Sequence, residues 1–354
     1  TVANMVCGFD ILGFAVENPY DEMEMRLVSR APGQTAADAI KIINIDDYNL
    51  PTEPEKNVAG AALIALIEEY EEKQMGATPL AFEVKINKLI KPGSGVGSSA
   101  ASSAGAVVGA NHLLNNIFSK DDLVRFAMNG EKVASGVKHA DNIAPCIFGG
   151  VTLVRSIFPL EIITLPSPSL HVTIVHPQIE IRTADARSIL KQQVQLKDAI
   201  KQWGNIAGLV AGLMKGDYDL IGRSLEDVII EPVRSILIPG FDELKKACIE
   251  AGALGGGISG SGPSIFFLSK EKETALAVEN EMKKQVCVIP FRRDYLLEYT
   301  QLNPTPLEIT ESIDMIRVLE HGMKVKMVQT NYYSQSVDTI EDLKKVENLM
   351  QISQ

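Results

Sequence analysis

Residues 90–101 read Ile-Lys-Pro-Gly-Ser-Gly-Val-Gly-Ser-Ser-Ala-Ala, the strongest local pattern in the sequence. The three glycines stand at every second position, so the backbone can adopt dihedral angles that a Cβ atom would forbid and can approach a bulky anion closely. Ser98 and Ser99 then begin a run of small residues that predicts a helix, whose first N–H groups and dipole favour negative charge. The pattern is typical of a phosphate-binding loop, although a tight turn followed by a serine N-cap would give the same string.

The loop differs from two well-known nucleotide-binding motifs. It has no Gly-Lys-Ser, which the Walker pattern requires, and its glycines do not follow the spacing of the Rossmann fingerprint. A phosphate-binding loop of another kind is therefore expected.

The rest of the chain alternates between two periodicities. Polar and apolar residues alternate at 22–30 and 82–90, which predicts strands there, and further strands are predicted at 151–154, 170–175 and 264–268. Apolar residues recur at helical spacing at 57–73, which predicts a helix, and a helix of small residues is predicted to run from the glycine loop to about 114. The other predicted helices are at 121–136, 184–192, 196–214, 217–228, 241–251 and 271–285. A glycine-rich turn is predicted at 253–262. Because strands and helices mix without a regular βαβ rhythm, the pattern indicates an α+β fold rather than a doubly wound sheet.

Length and composition exclude several classes of protein. The 354 residues are enough for two ordinary domains. The net charge of −11 argues against a nucleic-acid partner, and no stretch has the ~20 apolar residues of a membrane span. Neither a signal peptide nor a Cys-x-x-Cys pair is present, so we expect a cytoplasmic protein without a disulfide framework or zinc site, its four cysteines being Cys7, Cys146, Cys248 and Cys287.

Two further stretches accompany the glycine loop. Residues 1–13 read Thr-Val-Ala-Asn-Met-Val-Cys-Gly-Phe-Asp-Ile-Leu-Gly, and residues 255–264 read Gly-Gly-Gly-Ile-Ser-Gly-Ser-Gly-Pro-Ser. With the loop at 90–101 they resemble, in the same order, the three motifs of the GHMP kinases (galactokinase, homoserine kinase, mevalonate kinase and phosphomevalonate kinase). Because residue 1 already lies inside the first motif, we expect the first strand of that fold to precede it.

The resemblance implies a fold and an activity. It implies a ribosomal protein S5 domain 2-like ATP-binding domain at 1–167 and a ferredoxin-like domain at 168–288, which together transfer phosphate from ATP to a small hydroxyl compound. It also implies that Ser99 and Glu131 bind Mg²⁺ and that Ser261 contacts the transferred phosphate. The ATP-binding residues that it implies are Lys91, Pro92, Gly93, Ser94, Gly95, Val96, Gly97, Ser98, Ser99, Ala100 and Ala101.

Three more stretches resemble the homoserine kinase subgroup, at 129–142, 182–187 and 231–241. They imply that Arg187 and Arg234 bind the carboxylate of the acceptor, with Arg182 as a weaker candidate. The other acceptor-binding residues that the resemblance implies are Asn4, Asp10, His139, Asn142 and Gly260. Asn142 would lie beside the attacking hydroxyl in place of a catalytic aspartate, which mevalonate-type relatives use. A homodimer is among the assemblies that the resemblance allows.

Two other functions stay open at this point. Mevalonate is also a carboxylate, so the arginines do not by themselves decide between acceptors, although Asp10 and the His-x-x-Asn pattern favour an amino acid. A catalytically inactive sugar sensor is the other possibility, against which the intact glycine loop and Glu131 argue.

The segment 289–354 departs from this family. It resembles the C-terminal part of the CMP-Kdo synthetases (3-deoxy-manno-octulosonate cytidylyltransferases), an α/β fragment in which Asp338 matches a metal-binding aspartate. The nucleotide-binding half of that family is absent, so we expect Asp338 to serve as a helix N-cap and not as a ligand. A join near residue 288 between two unrelated coding segments is the simplest explanation, and an inactive chimeric chain is the corresponding alternative.

Overall fold

The computed structural model describes residues 1–31, 33–73, 79–177, 179, 181, 183–283, 302–303, 305–307 and 314–323. The chain divides into two compact units, Thr1–Glu279 and Asn280–Gln354. In the second unit the described helix spans Asp314–Glu320. Most of the predicted cytidylyltransferase-like segment, including Asp338, lies outside the described residues, as does Arg182.

The described residues from 1 to 283 contain ten strands and ten α-helices, the last of which continues past Glu279. The strands are β1 (Val2–Ala3), β2 (Leu12–Phe14), β3 (Glu22–Leu27), β4 (Ile40–Asn44), β5 (Phe82–Asn87), β6 (Val151–Ile157), β7 (Leu160–Leu165), β8 (His171–Val175), β9 (Gly255–Ile258) and β10 (Ile265–Ser269). The helices are α1 (Val58–Lys73), α2 (Ser98–Leu113), α3 (Lys120–Ser135), α4 (Ile143–Phe148), α5 (Thr183–Ser188), α6 (Leu196–Lys215), α7 (Tyr218–Ser224), α8 (Glu231–Arg234), α9 (Phe241–Glu250) and α10 (Lys272–Lys283).

The strands form three small sheets. One is antiparallel with the order β1-β2-β6-β7, the second has the order β3-β5-β4 with β4 parallel to β5, and the third is antiparallel with the order β8-β10-β9. This mixture confirms the predicted α+β class, because no succession of parallel strands with crossover helices is formed.

A first hydrophobic core lies between the sheet β3-β5-β4 and helices α1, α2 and α3. Its centre is fully buried and includes Phe82 and Leu66. Helix α2 packs against strand β3 at Gly105 and Gly109, where a Cβ atom would lie at ordinary contact distance, 3.7 and 3.6 Å, from methionine side chains of β3. The helix that follows the glycine loop is thereby held against this sheet.

A second core joins the beginning of the chain to its later half. Val2 and Leu12 of the first motif pack in the same cluster as Leu209 of α6 and Phe266 of β10, and the rings of Phe14 and Phe266 make an edge contact at 5.6 Å. The first motif is thereby anchored against the sheet that carries the third. The domain boundary predicted between 167 and 168 stays a prediction.

Several sequence predictions need correction. The glycine-rich segment 253–262 is not only a turn, because β9 pairs with β10 along its whole length. A Cβ atom at Gly256 would lie 2.1 Å from the carbonyl oxygen of Phe266, so glycine is required where strand propensity is poor. The predicted helix 217–228 ends at Ser224, and the helix 184–192 ends at Ser188. Strands β1, β2, β4 and β7 and helices α4 and α8 were not predicted.

The first motif contains a left-handed turn at residues 4–8. Asn4, Met5 and Val6 have φ angles of 75°, 40° and 64°, which is unfavourable for non-glycine residues and most of all for a β-branched valine. The amide of Gly8 donates to the carbonyl of Asn4 at 2.7 Å and closes the turn. On the opposite side, buried Gln202 of α6 donates from Nε2 to the carbonyl of Cys7 at 2.8 Å. Surrounding contacts therefore enforce a backbone that the turn's own residues disfavour.

No helix in the described part of the chain is long and apolar enough to cross a membrane.

The Gln202 side chain generates a stability prediction. It also accepts from the amide of Val228 at 3.0 Å, so Gln202→Ala leaves a buried carbonyl and a partly buried amide without these partners. We expect the free energy of unfolding, measured by urea denaturation, to fall by about 2 kcal/mol or more. Gln195→Ala is the control, because Gln195 is exposed at the N-cap of the same helix and makes no side-chain capping bond. Equal stability of both variants would contradict the assigned role.

Candidate active site

A cavity of about 550 Å³ opens in the first unit, within the size range of small-ligand sites. Both glycine loops and the first motif contribute to its wall. Its lining also includes Leu50, Pro51, Lys56, Asn57 and Val58 from the segment that leads into α1, and Val133, Ala134 and Ser135 from the end of α3.

The glycines of the first loop have distinct steric roles. Gly93, Gly95 and Gly97 all have positive φ angles, of 73°, 79° and 70°. A Cβ atom at Gly95 would lie 2.6 Å from the carbonyl oxygen of Gly262, whereas one at Gly93 would meet nothing within 4 Å. Gly97 is the N-cap of α2 and no side chain caps the helix there, so the first N–H groups of α2 remain to bind an anion.

The second glycine loop is fastened to the first. The hydroxyl of Ser259 donates to the carbonyl of Gly95 at 2.7 Å, and the amide of Ser264 donates to the carbonyl of Ser94 at 3.3 Å. The hydroxyl of Ser261 lies 3.2 Å from that of Thr183, which also lines the cavity. Because the two loops share these bonds, they form one wall of the cavity.

A buried ion pair supports the start of the first loop. Lys88 pairs with Asp21 and donates to the carbonyl of Ser98 at 2.7 Å and to the hydroxyl of Ser102 at 2.9 Å. The carboxylate of Asp21 accepts from the amides of residues 89 and 90, both at 2.9 Å. Burial lowers the pKa of Lys88, an effect that Asp21 opposes. The pair fixes both ends of the segment that leads from β5 into the loop.

Glu131 of α3 has the character of a metal ligand. It is buried, and its Oε1 atom has no hydrogen-bond partner. Burial raises the pKa of the carboxyl, and a hydrogen bond from Ser99 opposes the rise. No group of three or more His, Cys, Asp or Glu side chains in the described part of the chain could hold a metal by itself. A cation at Glu131 would therefore need oxygen ligands from elsewhere, such as a hydroxyl and phosphate groups.

Opposite charges meet at the other end of the cavity. The guanidinium of Arg187 donates to both carboxylate oxygens of Asp10, at 2.9 and 3.1 Å. His139 Nδ1 lies 3.7 Å from the same carboxylate, and burial lowers the pKa of this histidine. Arg234 is 4% exposed and donates to the carbonyls of Ala186 and Gly260 at 3.1 and 2.9 Å. Burial lowers its pKa to about 10.

Two asparagines complete this end. Asn4 donates from Nδ2 to the carbonyl of Gly260 at 2.9 Å, and its Oδ1 accepts from the amide of Asp10 at 3.1 Å. Asn142 lines the cavity and accepts through Oδ1 from the hydroxyl of Thr1 at 2.9 Å. This bond orients the Asn142 side chain, with Nδ2 as its remaining hydrogen-bond donor.

Sequence reasoning assigned no role to three groups at the site: Lys88, Asp141 and Thr183. Burial raises the pKa of Asp141 to about 7, and the negative charges of Asp10 and Glu131 add to the rise. Asp141 and Thr183 lie inside the stretches that resemble the homoserine kinases, which was the available signal. No local pattern distinguishes Lys88, because its role depends on a contact with Asp21, 67 positions earlier.

Most of the predicted site residues lie around this one cavity, although their roles remain predictions. The cavity is lined by Asn4, Asp10, Pro92, Gly93, Gly95, Gly97, Ser98, Ser99, Glu131, His139, Asn142, Arg187, Arg234, Gly260 and Ser261. Five residues of the predicted ATP-binding loop do not line it, namely Lys91, Ser94, Val96, Ala100 and Ala101. Of these, Ser94, Val96 and Ala100 are buried and support the loop from behind, whereas Lys91 is exposed.

Two family models match the chain. Residues 57–150 match the N-terminal domain of the GHMP kinases, and residues 209–287 match their C-terminal domain. Both matches end before the segment 289–354, and its resemblance to the cytidylyltransferases stays a prediction.

Individual proteins are similar over the same region. Homoserine kinase from Chlorobium phaeobacteroides is 46% identical over 284 residues, which is 80% of this chain and 88% of that protein. Homoserine kinase from Methanococcus maripaludis is 39% identical over 285 residues, covering 80% of this chain and 90% of the relative.

Solved structures of related kinases are also similar to this chain. The crystal structure of homoserine kinase from Cytophaga hutchinsonii superimposes with a TM-score of 0.72 at 49% identity, covering 80% of this chain and 87% of that one. A phosphomevalonate kinase from Streptococcus pneumoniae has a TM-score of 0.58 at 14% identity, covering 78% and 91%, and shares the fold. The chain therefore belongs to the GHMP kinase family, in its homoserine kinase branch.

Proposed function

We propose that this chain transfers the γ-phosphate of ATP to the side-chain hydroxyl of L-homoserine and forms O-phospho-L-homoserine, a reaction of threonine biosynthesis. The observation that carries the proposal is the pairing of Asp10 with Arg187, beside Arg234, in the cavity that the glycine loops enclose. The names of the relatives agree with this acceptor.

The charges at this end suit a zwitterion. In the free protein Asp10 and Arg187 neutralise each other through two hydrogen bonds. An amino acid can place its ammonium against Asp10 and its carboxylate against the guanidinium groups, so every charge keeps a partner. A hydroxy acid has no ammonium group to pair with Asp10, so the negative charge of this carboxylate would be less well balanced. The site therefore favours homoserine over mevalonate.

ATP supplies the phosphate at the opposite end of the cavity. The amides of residues 93–99 and the N-terminus of α2 would hold the phosphates, and the hydroxyl of Ser261 would contact the transferred group. The residues that lead into α1 and end α3 line the same cavity and leave room for the nucleoside.

Phosphoryl transfer depends mainly on position and charge neutralisation, so a strong base is not required. Asn142 orients the δ-hydroxyl oxygen of homoserine toward the γ-phosphorus, where it attacks in line with the leaving ADP. As the new P–O bond forms and the bond to ADP breaks, the proton of the hydroxyl passes to an oxygen of the transferred phosphoryl group. Rigid donors from the two glycine loops stabilise the charge that develops on the phosphoryl oxygens.

Ser99 and Glu131 would hold Mg²⁺. The buried Oε1 atom of Glu131 has no partner, and a hydroxyl and a carboxylate are oxygen donors that this cation prefers. When bound, Mg²⁺ neutralises phosphate charge. Ser99 would contribute to the same site through its hydroxyl.

We also propose that the chain is cytoplasmic and forms a homodimer. Cys7, Cys146 and Cys248 are free thiols, as in a reducing compartment. Helix α6 exposes Leu196, Ile200 and Trp203, an apolar stripe that a second copy could cover.

The acceptor assay tests the proposed function. We expect the purified full chain, with ATP and MgCl₂, to release ADP when L-homoserine is added, because only a zwitterion with a primary hydroxyl pairs every charge of the site. Mevalonate and galactose serve as comparison acceptors, and mass spectrometry identifies the phosphorylated product. Turnover with mevalonate but not homoserine, or none with any acceptor, would overturn the proposal.

The metal assignment predicts a loss of activity in Glu131→Gln. Removing the carboxylate should lower kcat/KM for MgATP by about a hundredfold, and excess Mg²⁺ should recover part of it. Glu68→Gln, at an exposed position of α1, is the control with the same chemical change.

The assignment of Glu131 as a metal ligand also predicts how activity depends on pH. Burial raises the pKa of Glu131, and the carboxyl must be ionised to bind a cation. As pH falls, kcat/KM for MgATP should therefore drop at a higher pH than an ordinary glutamate would cause, and Glu131→Gln should lack this acidic limb. An unchanged pH profile in Glu131→Gln would exclude the residue as a metal ligand.

A further inference from the structure

The ring of Phe9 lies against both acceptor-side arginines. Its centroid is 5.5 Å from Cζ of Arg187 and 4.9 Å from Cζ of Arg234. Both distances fall within the ~6 Å range of cation–π attraction. Phe9 is half-buried and lines the large cavity at the acceptor end. One aromatic ring thus touches two guanidinium groups that would bind the same carboxylate.

These two cations need compensation before an acceptor arrives. Their like charges oppose each other, and Asp10 forms its two hydrogen bonds with Arg187. Within the described residues, no carboxylate lies within 4 Å of the Arg234 guanidinium, whose hydrogen bonds go to the carbonyls of Ala186 and Gly260. The negative face of an aromatic ring attracts cations without competing for the N–H donors that a carboxylate needs.

The backbone gives Phe9 a fixed place. It follows the left-handed turn (residues 4–8), and the amide of the next residue, Asp10, donates to Oδ1 of Asn4 at 3.1 Å. Gln202 holds the carbonyl of Cys7, two positions before the ring. The backbone on both sides of Phe9 is therefore held by contacts that do not involve the arginines.

We propose that Phe9 is a positioning residue for acceptor recognition, which holds Arg187 and Arg234 together against one aromatic ring so that both can bind the acceptor's carboxylate. The inference rests on the proposed function and deepens it, since it identifies what keeps the two cations side by side. A leucine would fill the space but lacks the negative electrostatic potential of an aromatic face, which a tyrosine keeps.

The test compares Phe9→Leu with Phe9→Tyr in the full chain. We expect Phe9→Leu to raise KM for L-homoserine about tenfold, with kcat and KM for ATP changed by less than about twofold. Phe9→Tyr should stay close to the unsubstituted chain. L-Homoserine amide, which lacks the carboxylate, should lose much less in Phe9→Leu than homoserine does, so the preference for the acid should shrink by the same factor.

A matched control removes a ring–cation contact elsewhere. Lys270 lies 5.2 Å from the ring of Tyr218, which does not line the cavity, so Tyr218→Leu should leave both acceptors unaffected. If Phe9→Leu does not fold, Phe9→Met is measured in the same way, because it keeps apolar bulk without a ring.

The outcomes separate the two claims. An unsubstituted chain without homoserine-dependent turnover overturns the proposed function and this inference with it. An active chain whose KM for homoserine is unchanged in Phe9→Leu overturns the role of Phe9 alone. An equal loss for homoserine and its amide also contradicts the inference, because it would show a general structural effect and not a loss of carboxylate recognition.

Discussion

Asn4 makes the contacts on which the geometry of the acceptor end depends. Its side chain donates to the carbonyl of Gly260 in the second glycine loop and accepts from the amide of Asp10, so one amide group joins the first and third motifs. Its own backbone is left-handed, with a φ angle of 75°. Strained backbone of this kind persists only where neighbouring contacts hold it, and it concentrates at functional sites. Here the strained turn positions Phe9 and Asp10 opposite the arginines.

The electrostatics of the cavity differ from those of the whole chain. The net charge is −11, yet the acceptor end contains two guanidinium groups, and the donor end presents helix N–H groups. An acidic protein can therefore bind ATP and an amino acid, because the local field at each end is set by a few buried groups. Lys88 is not free to contribute its full charge to the phosphates, since Asp21 pairs with it.

The sequence predicted the parts of the structure that depend on local rules. Glycines with positive φ angles lie where the motif placed them, and the long helices begin and end within a few residues of their predicted limits. Strand β9 was missed because a run of glycines has poor strand propensity. The glycines are required by tertiary contacts, with Leu225 at Gly255, with Phe266 at Gly256 and with Glu231 at Gly257. The Lys88–Asp21 pair and the bond from Gln202 to Cys7 join residues far apart in sequence, so no periodicity reveals them.

Recognition of a zwitterion by the Asp10–Arg187 pair with Arg234 is the central claim, and calorimetric titration in the presence of a nonhydrolysable ATP analogue and Mg²⁺ tests it most directly. L-Homoserine is compared with 4-hydroxybutyrate, which lacks the ammonium, and with L-homoserine amide, which lacks the carboxylate. We expect each analogue to bind at least about tenfold more weakly than homoserine, because each leaves one protein charge without its partner. Binding of 4-hydroxybutyrate as tight as that of homoserine would contradict it.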